Sequence, residues 1–364
     1  MKLTICIDDV VATLVGDHVL IKEPLCLSID GFCIHVYSNS NELLDTLRHY
    51  FGAMCVDWIK SDIEIIAVQR DALELGIDFL DWVRESHKMD RKDSYVDFDG
   101  VRLLRKVRTG MVFLQSKSYR IATGPCVENE NQVINFINAQ YMNWLQHQDW
   151  LICHAAALVH NGQAYAFAGF SGGGKSTQML HLLNAENTAY MTNDRLFIRR
   201  DDNITSAAGI PKLPRINPGT IVYNPKLNGL ISEQQKNAFL AMSQQDLWEL
   251  EDKHDVFIDE IYGPDRIVLS APLAGLVILN WKQGSEQLMS VEKVDLADRH
   301  DLLPAVMKSP GPFYQRLDGS FSHDSRVPLE QAYIDALEKN IVYEVKGKAD
   351  FDALTDYFTT NIFC

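Results

Sequence analysis

Apolar and polar positions repeat with two different periods along this chain, and the change between them divides it. In the first third, short apolar runs flank paired turn residues. Residues 25–29 and 32–37 stand either side of Asp30-Gly31, and residues 95–98 and 101–104 stand either side of Asp99-Gly100. An aspartate–glycine pair between strands is a hairpin signal, because both turn residues must take positive φ. Thr109-Gly110 and Ser116-Lys117 prolong the second hairpin into a meander that runs to Ala122. Behind Ser40, a capping residue, Leu43, Leu44, Leu47 and Phe51 recur at helical spacing and predict a helix over residues 41–51. A further helix is expected over residues 72–85.

The polar segment Glu128-Asn129-Glu130-Asn131 opens a long helical stretch to about Gln148, with Val133, Phe136, Ile137, Tyr141 and Leu145 as its apolar stripe. Such a stripe is explained by core packing. From there the order becomes strand, glycine-rich loop, helix, strand. The expected architecture is α/β: a smaller α+β domain over residues 1–125, suited to substrate or partner recognition, and a nucleotide-binding domain over residues 126–364.

Composition narrows the classes. A chain of 364 residues favours two domains, and 46% hydrophobic with 23% charged residues is ordinary for a globular protein. The net charge of −15 opposes nucleic acid and anionic membrane as partners, and leaves room for a homo-oligomer. Seven scattered cysteines without a C-x-x-C argue against a disulfide framework or a structural zinc. No run of eighteen apolar residues occurs, and the first residues carry Asp8 and Asp9 inside their apolar stretch, unlike a signal peptide. The cytoplasm is the expected compartment.

The chemistry concentrates in one segment. Residues 164–168 are a buried-strand pattern, and Gly169-Phe170-Ser171-Gly172-Gly173-Gly174-Lys175-Ser176-Thr177 follows, matching G-x-x-x-x-G-K-[ST]. Glycines let backbone N–H groups converge on phosphate oxygens, and the helix that follows adds its positive end. Lys175 is expected to reach the β- and γ-phosphates of ATP, and Ser176 to offer its hydroxyl to Mg2+.

Upstream, His154 lies in the strand pattern of residues 150–159, and Asn161-Gly162 turns that strand back into the one feeding the loop. This makes a hairpin rather than a crossover. A strand histidine is either packed or functional, and the pattern leaves both open. Downstream, Asn193-Asp194-Arg195 breaks two strands; Asp194 is a candidate metal ligand or a turn residue. Residues 275–280 form an apolar strand ending in Asn280 where a Walker B strand would end in aspartate, so it is assigned to the core. Arg215, in the proline-rich segment 211–219, is a candidate phosphate clamp, and segment 309–314 a candidate lid or acceptor loop; a rigid surface connection is the alternative for both.

Together, His154, the loop Gly169 to Thr177 and Asn193-Asp194-Arg195 resemble HPr kinase/phosphorylase, which carries a strand histidine, a G-x-S-G-x-G-K-S loop and an Asp-Asp-Arg in that order. The chain more narrowly resembles the HPr kinase-related kinase B family of bacterial proteins, through residues 132–138, 213–220 and 271–281. The resemblance implies a serine kinase of the HPr kinase and phosphoenolpyruvate carboxykinase type. Lys175 and Ser176 would hold phosphates and metal, Asp194 would take the second aspartate's place, and His154 the histidine's. Asn193 stands where the family has its presumed general base, and an amide cannot accept that proton. The reverse phosphorylase activity is correspondingly in doubt. The first domain does not resemble the family's N-terminal domain, so HPr is not implied as acceptor. Two other functions fit a phosphate loop: a nucleotide-driven ATPase switch, and a binding scaffold without turnover.

Overall fold

The computed structural model describes residues 6–82, 93–170, 172–250, 252–282, 284–323 and 328–363. They fall into two compact units, Met1–Gln148 with Ser309–Val327, and Asp149–Lys308 with Pro328–Cys364. The expected boundary near residue 126 thus differs from the observed one, which lies after the long helix. The difference is physical: that helix buries its stripe in the first unit, where Phe136 packs on Phe113 with ring centroids 5.1 Å apart.

The first unit comprises α1 (Ile7–Val15), β1 (Leu25–Ile29), β2 (Phe32–Ser38), α2 (Asn41–Phe51), β3 (Ile63–Gln69), β4 (Leu80–Asp81), β5 (Asp93–Phe98), β6 (Val101–Lys106), β7 (Val112–Gln115), β8 (Arg120–Gly124) and α3 (Glu130–Gln146). Its eight strands form one sheet in the order β1-β2-β3-β8-β7-β6-β5-β4. Only β2–β3 and β3–β8 are parallel. The aspartate–glycine turns take the backbone they predicted, with Asp30 at φ 50 and Gly31 at φ 85, and Asp99 at φ 42 and Gly100 at φ 74. Ser40 caps α2 by accepting from the Leu43 amide at 3.2 Å. Alternation along β7 sorts the faces: Val112 and Leu114 join Val10 and Leu14 of α1, whereas Phe113 meets α3.

One expectation fails here, and one open alternative is settled. Residues 72–79 are not helical, and residues 83–85 lie outside the described residues. Leu73, Leu75, Ile77 and Phe79 pack on the α1 side of the sheet and their neighbours are exposed. That is a period of two, belonging to extended chain. Segment 309–314, a candidate lid or acceptor loop with a rigid connection as the alternative, is stitched into the first unit. Phe313 packs on Phe113 and Phe136 at 5.4 and 5.0 Å. Its carbonyl accepts from Asn143 Nδ2 at 2.9 Å, and that of Pro312 accepts from Arg102 at 2.9 Å.

The second unit comprises β9 (Leu151–Cys153), β10 (Ala155–His160), β11 (Gln163–Gly169), α4 (Lys175–Leu182), β12 (Thr188–Thr192), β13 (Leu196–Asp201), β14 (Ile204–Ala208), β15 (Arg215–Ile216), α5 (Pro218–Val222), α6 (Glu233–Leu240), α7 (Gln244–Glu249), β16 (His254–Asp255), α8 (Ile258–Tyr262), β17 (Ser270–Leu279), β18 (Ser290–Val294), α9 (Leu303–Val306), α10 (Glu330–Leu337), β19 (Ile341–Lys346) and α11 (Phe351–Asn361). Nine strands make its main sheet, with β12-β10-β11-β17-β14-β13-β9 in order and β19 and β18 continuing from β17. In β11, Ala164, Ala166 and Ala168 face a core containing Leu303, Val306 and Tyr333. Tyr165 and Phe167 point the other way, onto Phe358 of α11. Helices therefore cover both faces of the strand that delivers the loop, giving the expected α/β arrangement. Among the described residues no helix is long and apolar enough to cross a membrane, and every cysteine is a free thiol.

Candidate functional site

The glycine-rich loop sits where the sequence places it, between β11 and α4. Ser171 lies outside the described residues. Gly173 N donates to Phe170 O at 2.9 Å, closing the turn. Gly172 and Gly174 both have φ 78, in the left-handed region. A side chain is also excluded sterically. A Cβ on Gly173 would lie 2.9 Å from Phe170 O, and one on Gly174 would lie 2.5 Å from the Phe351 ring. Gly174 caps α4 without any side chain, so no side chain of the cap competes for the first-turn amides. Trp281, just beyond β17, ties the loop down by donating Nε1 to Gly173 O at 2.9 Å. Lys175 is buried and its Nζ donates to Gly169 O at 3.1 Å. Thr177 shares a hydrogen bond with Thr220 at 2.8 Å, anchoring α4 to α5. Phe170 is 43% exposed.

Strand register brings the distant candidates to this loop. In the β10–β11 hairpin Ala155 pairs with Ala168, so His154 stands at the level of Gly169. In the β9–β13 pair Cys153 faces Leu196, which brings the Asn193-Asp194-Arg195 break alongside His154. Cys153 also bridges Met307, and His154 N donates to Val306 O at 2.7 Å, which delivers Lys308. The side chains then meet. His154 Nε2 lies 3.3 Å from Asp194 Oδ1, Lys308 Nζ lies 3.0 Å from Asp194 Oδ2, and Arg195 Nε lies 4.0 Å from the same oxygen.

The charges follow from this packing. Burial disfavours the Asp194 carboxylate, but the His154 hydrogen bond and the charges of Lys308 and Arg195 outweigh it and hold its pKa well below the usual range. Burial pushes His154 down, the Lys308 and Lys175 charges push it further, and Asp194 only partly restores it. The influence of Lys175 on His154 joins the loop and the cluster electrostatically. Lys212 enters the same field. Burial, and then the nearby Arg195, lower it to about 8, with Lys308 and Arg215 adding to the shift.

Lys308 and Lys212 were missed by the sequence reading. Lys308 carried no signal, whereas Lys212 lies in the loop singled out for Arg215. Arg215 itself is 46% exposed and pairs with Asp255 at 3.6 Å, outside the cluster. Asn193 keeps a buried Oδ1 with no hydrogen-bond partner. Asn280 behaves as expected of a structural residue, donating to Glu344, a buried carboxylate also held by Arg299 at 2.6 Å.

Polyphosphate and magnesium fit this site. The loop is a glycine backbone in which a Cβ at Gly173 or Gly174 would collide with Phe170 O or the Phe351 ring, Lys175, Lys308, Arg195 and Lys212 concentrate positive charge in a chain of net charge −15, and Ser176 with Asp194 offers hard oxygen donors. No group of three or more His, Cys, Asp or Glu side chains that could hold a metal ion occurs among the described residues.

No family model matches the chain. No curated protein matches it either. Among solved structures the chain is similar to the HPr(Ser) kinase/phosphatase from Coxiella burnetii, at 10% identity and a TM-score of 0.28, over 57% of this chain and 86% of that one. Likeness at that level carries no functional argument, and the reading below rests on the geometry of the site.

Proposed function

We propose that the second unit is an ATP-dependent phosphotransferase that moves the γ-phosphoryl group to a serine-type hydroxyl on a protein or small molecule, with Mg2+. The observation that carries this reading is the meeting of the Lys175 loop with His154, Asp194 and Lys308 at one sheet end. Magnesium bound to the phosphates would neutralise their charge and hold their oxygens in line. The loop amides and Lys175 cradle the β- and γ-phosphates, and Ser176 and Asp194 are the side chains that would hold the metal. His154, neutral and donating Nε2–H to ionised Asp194, keeps a lone pair on Nδ1 for the acceptor's proton. Lys308 and Arg195 then face the transferring group's charge.

Asn193 favours a second reading, a nucleotide-driven switch without acceptor, because an amide occupies the position where the resembling family has a carboxylate. One experiment separates the two. Consumption of γ-phosphate-labelled ATP is measured with and without a native cell extract, for the wild type and for Lys175→Ala. Transfer predicts acceptor-stimulated consumption and a labelled product; a switch predicts the same rate with or without extract. In either case Lys175→Ala should lower turnover by about 10²-fold or more while the melting temperature holds. Turnover within a few-fold of wild type would sink the loop assignment.

A further inference from the structure

The first unit contains a pocket that the phosphotransferase reading does not use. Its volume is about 280 Å3. Small-molecule sites run from roughly 300 Å3 upward, so this one suits a compact ligand. Three cations line it: Lys117 in the β7–β8 turn, Arg120 on β8, and Arg316 on the returning segment 309–327. Among the described residues none of the three is in an ion pair, and no carboxylate lines the pocket. Asp318, fully exposed, is a neighbouring acid whose charge Lys117 and Arg316 influence. Arg316 is held by neutral partners, donating to Ser320 Oγ at 3.1 Å and Ser322 Oγ at 2.8 Å. Arg120 donates to Lys117 O at 3.2 Å, and burial lowers its pKa with no carboxylate beside it to offset that cost. Lys117 and Arg316 are exposed and Arg120 is half-buried, so the cost of gathering the three cations is chiefly their mutual repulsion, which a bound anion relieves.

The rest of the pocket combines the apolar side chains of Phe32, Ile63, Trp144 and Leu317 with polar groups that are held in place. Gln140 is buried and donates to Gln115 Oε1 at 2.8 Å; Asn143 donates to Phe313 O at 2.9 Å; His147 Nε2 lies 2.7 Å from Gln315 O. Trp144 is stacked on Phe32 at 5.2 Å, which stiffens the wall. Internal bonds of this kind preorganise a site before its ligand arrives.

We propose that this pocket binds a small hydroxylated organic phosphate. Lys117, Arg120 and Arg316 take the phosphate oxygens, and the remaining capacity of the Gln140 and Asn143 amides meets the hydroxyl groups. The test is calorimetry on the full chain with glycerol 3-phosphate as probe and with inorganic phosphate and glycerol as controls. Lys175→Ala silences the nucleotide loop, and the double variant Arg120→Gln, Arg316→Gln disarms the pocket. Saturable binding of glycerol 3-phosphate is expected in wild type and Lys175→Ala alike, about tenfold or more weaker in the double variant, and weaker as salt rises. Should the double variant melt lower, Lys117→Gln, on an exposed turn, provides the same comparison. Absence of saturable binding at millimolar probe overturns the proposal. So does loss confined to Lys175→Ala, unchanged affinity in the pocket variants, or inorganic phosphate binding as tightly as glycerol 3-phosphate.

Discussion

His154 is pushed toward neutrality by burial and by two lysines, and pulled toward charge by one aspartate. The downward side wins, so the ring stays neutral at pH values where an ordinary histidine, with pKa 6.5, is half protonated. If it serves as base, the single-turnover transfer rate should hold level through that pH and fall only below it. Asp194→Asn removes the partner that raises His154, so its acid limb should lie lower still, whatever the loss in absolute rate. A limb at or above the ordinary value would exclude His154 as the base. The same shift has a stability consequence. The unfolded chain binds the proton first, so this residue's contribution to stability is lost as the pH falls below its unfolded pKa. Lys212 titrates in the opposite range, being lowered to about 8. Its charge is present below that pH and disappears above it. Nucleotide affinity, followed by calorimetry from neutral to alkaline pH, should therefore weaken several-fold through that point, and Lys212→Met should flatten the step. An identical step in the variant would assign the titration elsewhere.

At the scale of the element, the loop is a glycine backbone clamped between β11, Trp281 and the start of α11. Gly174→Ala should show what that clamp demands. Its φ of 78 costs a non-glycine residue about 1–2 kcal/mol, and the added Cβ would lie 2.5 Å from Phe351. We expect a lower melting temperature together with a lost or weakened nucleotide response. Adding Phe351→Ala should recover only part of the stability, since it removes the collision and not the backbone strain. Full recovery would show that φ is relaxed in solution. The hairpins, the Ser40-capped helix and the α3 stripe were legible in the sequence because each depends on contacts a few residues apart. Residues 72–79 were equally local but were assigned the wrong period. The alternating Leu73, Leu75, Ile77 and Phe79 mark an extended segment that packs on a sheet, and a helix stripe would have needed spacings of three and four. The α1 helix had no counterpart among the expected elements, although Val10 and Leu14 stand four apart and are its buried pair.

At the scale of the whole molecule, the chain leaves its second unit after Lys308 and returns at Pro328, contributing Ser309–Val327 to the first. This excursion predicts the behaviour of Phe313→Ala. Phe313 is 9% exposed against two phenylalanines, so its loss should destabilise the first unit by about 3–5 kcal/mol in chemical unfolding, with ATP turnover by the folded protein unchanged. A drop in turnover without a drop in stability would restore the lid assignment. The candidate site divides along the same line between local and distant information. The sequence by itself determined the glycine-rich loop and the position of His154 on the strand hairpinned to it, because the two-residue turn at Asn161-Gly162 leaves one hairpin register and that register puts His154 level with Gly169. It also marked Asp194, a carboxylate at a break between two strands. Tertiary structure decided which cations face that carboxylate. Lys308 arrives from 114 residues away through a bridge at Cys153, and Lys212 through burial of a loop whose sequence drew attention to Arg215. It also decided that α3 belongs to the first unit and that segment 309–314 is core. Periodicity records that a face is apolar; which partner covers that face depends on the whole packed chain.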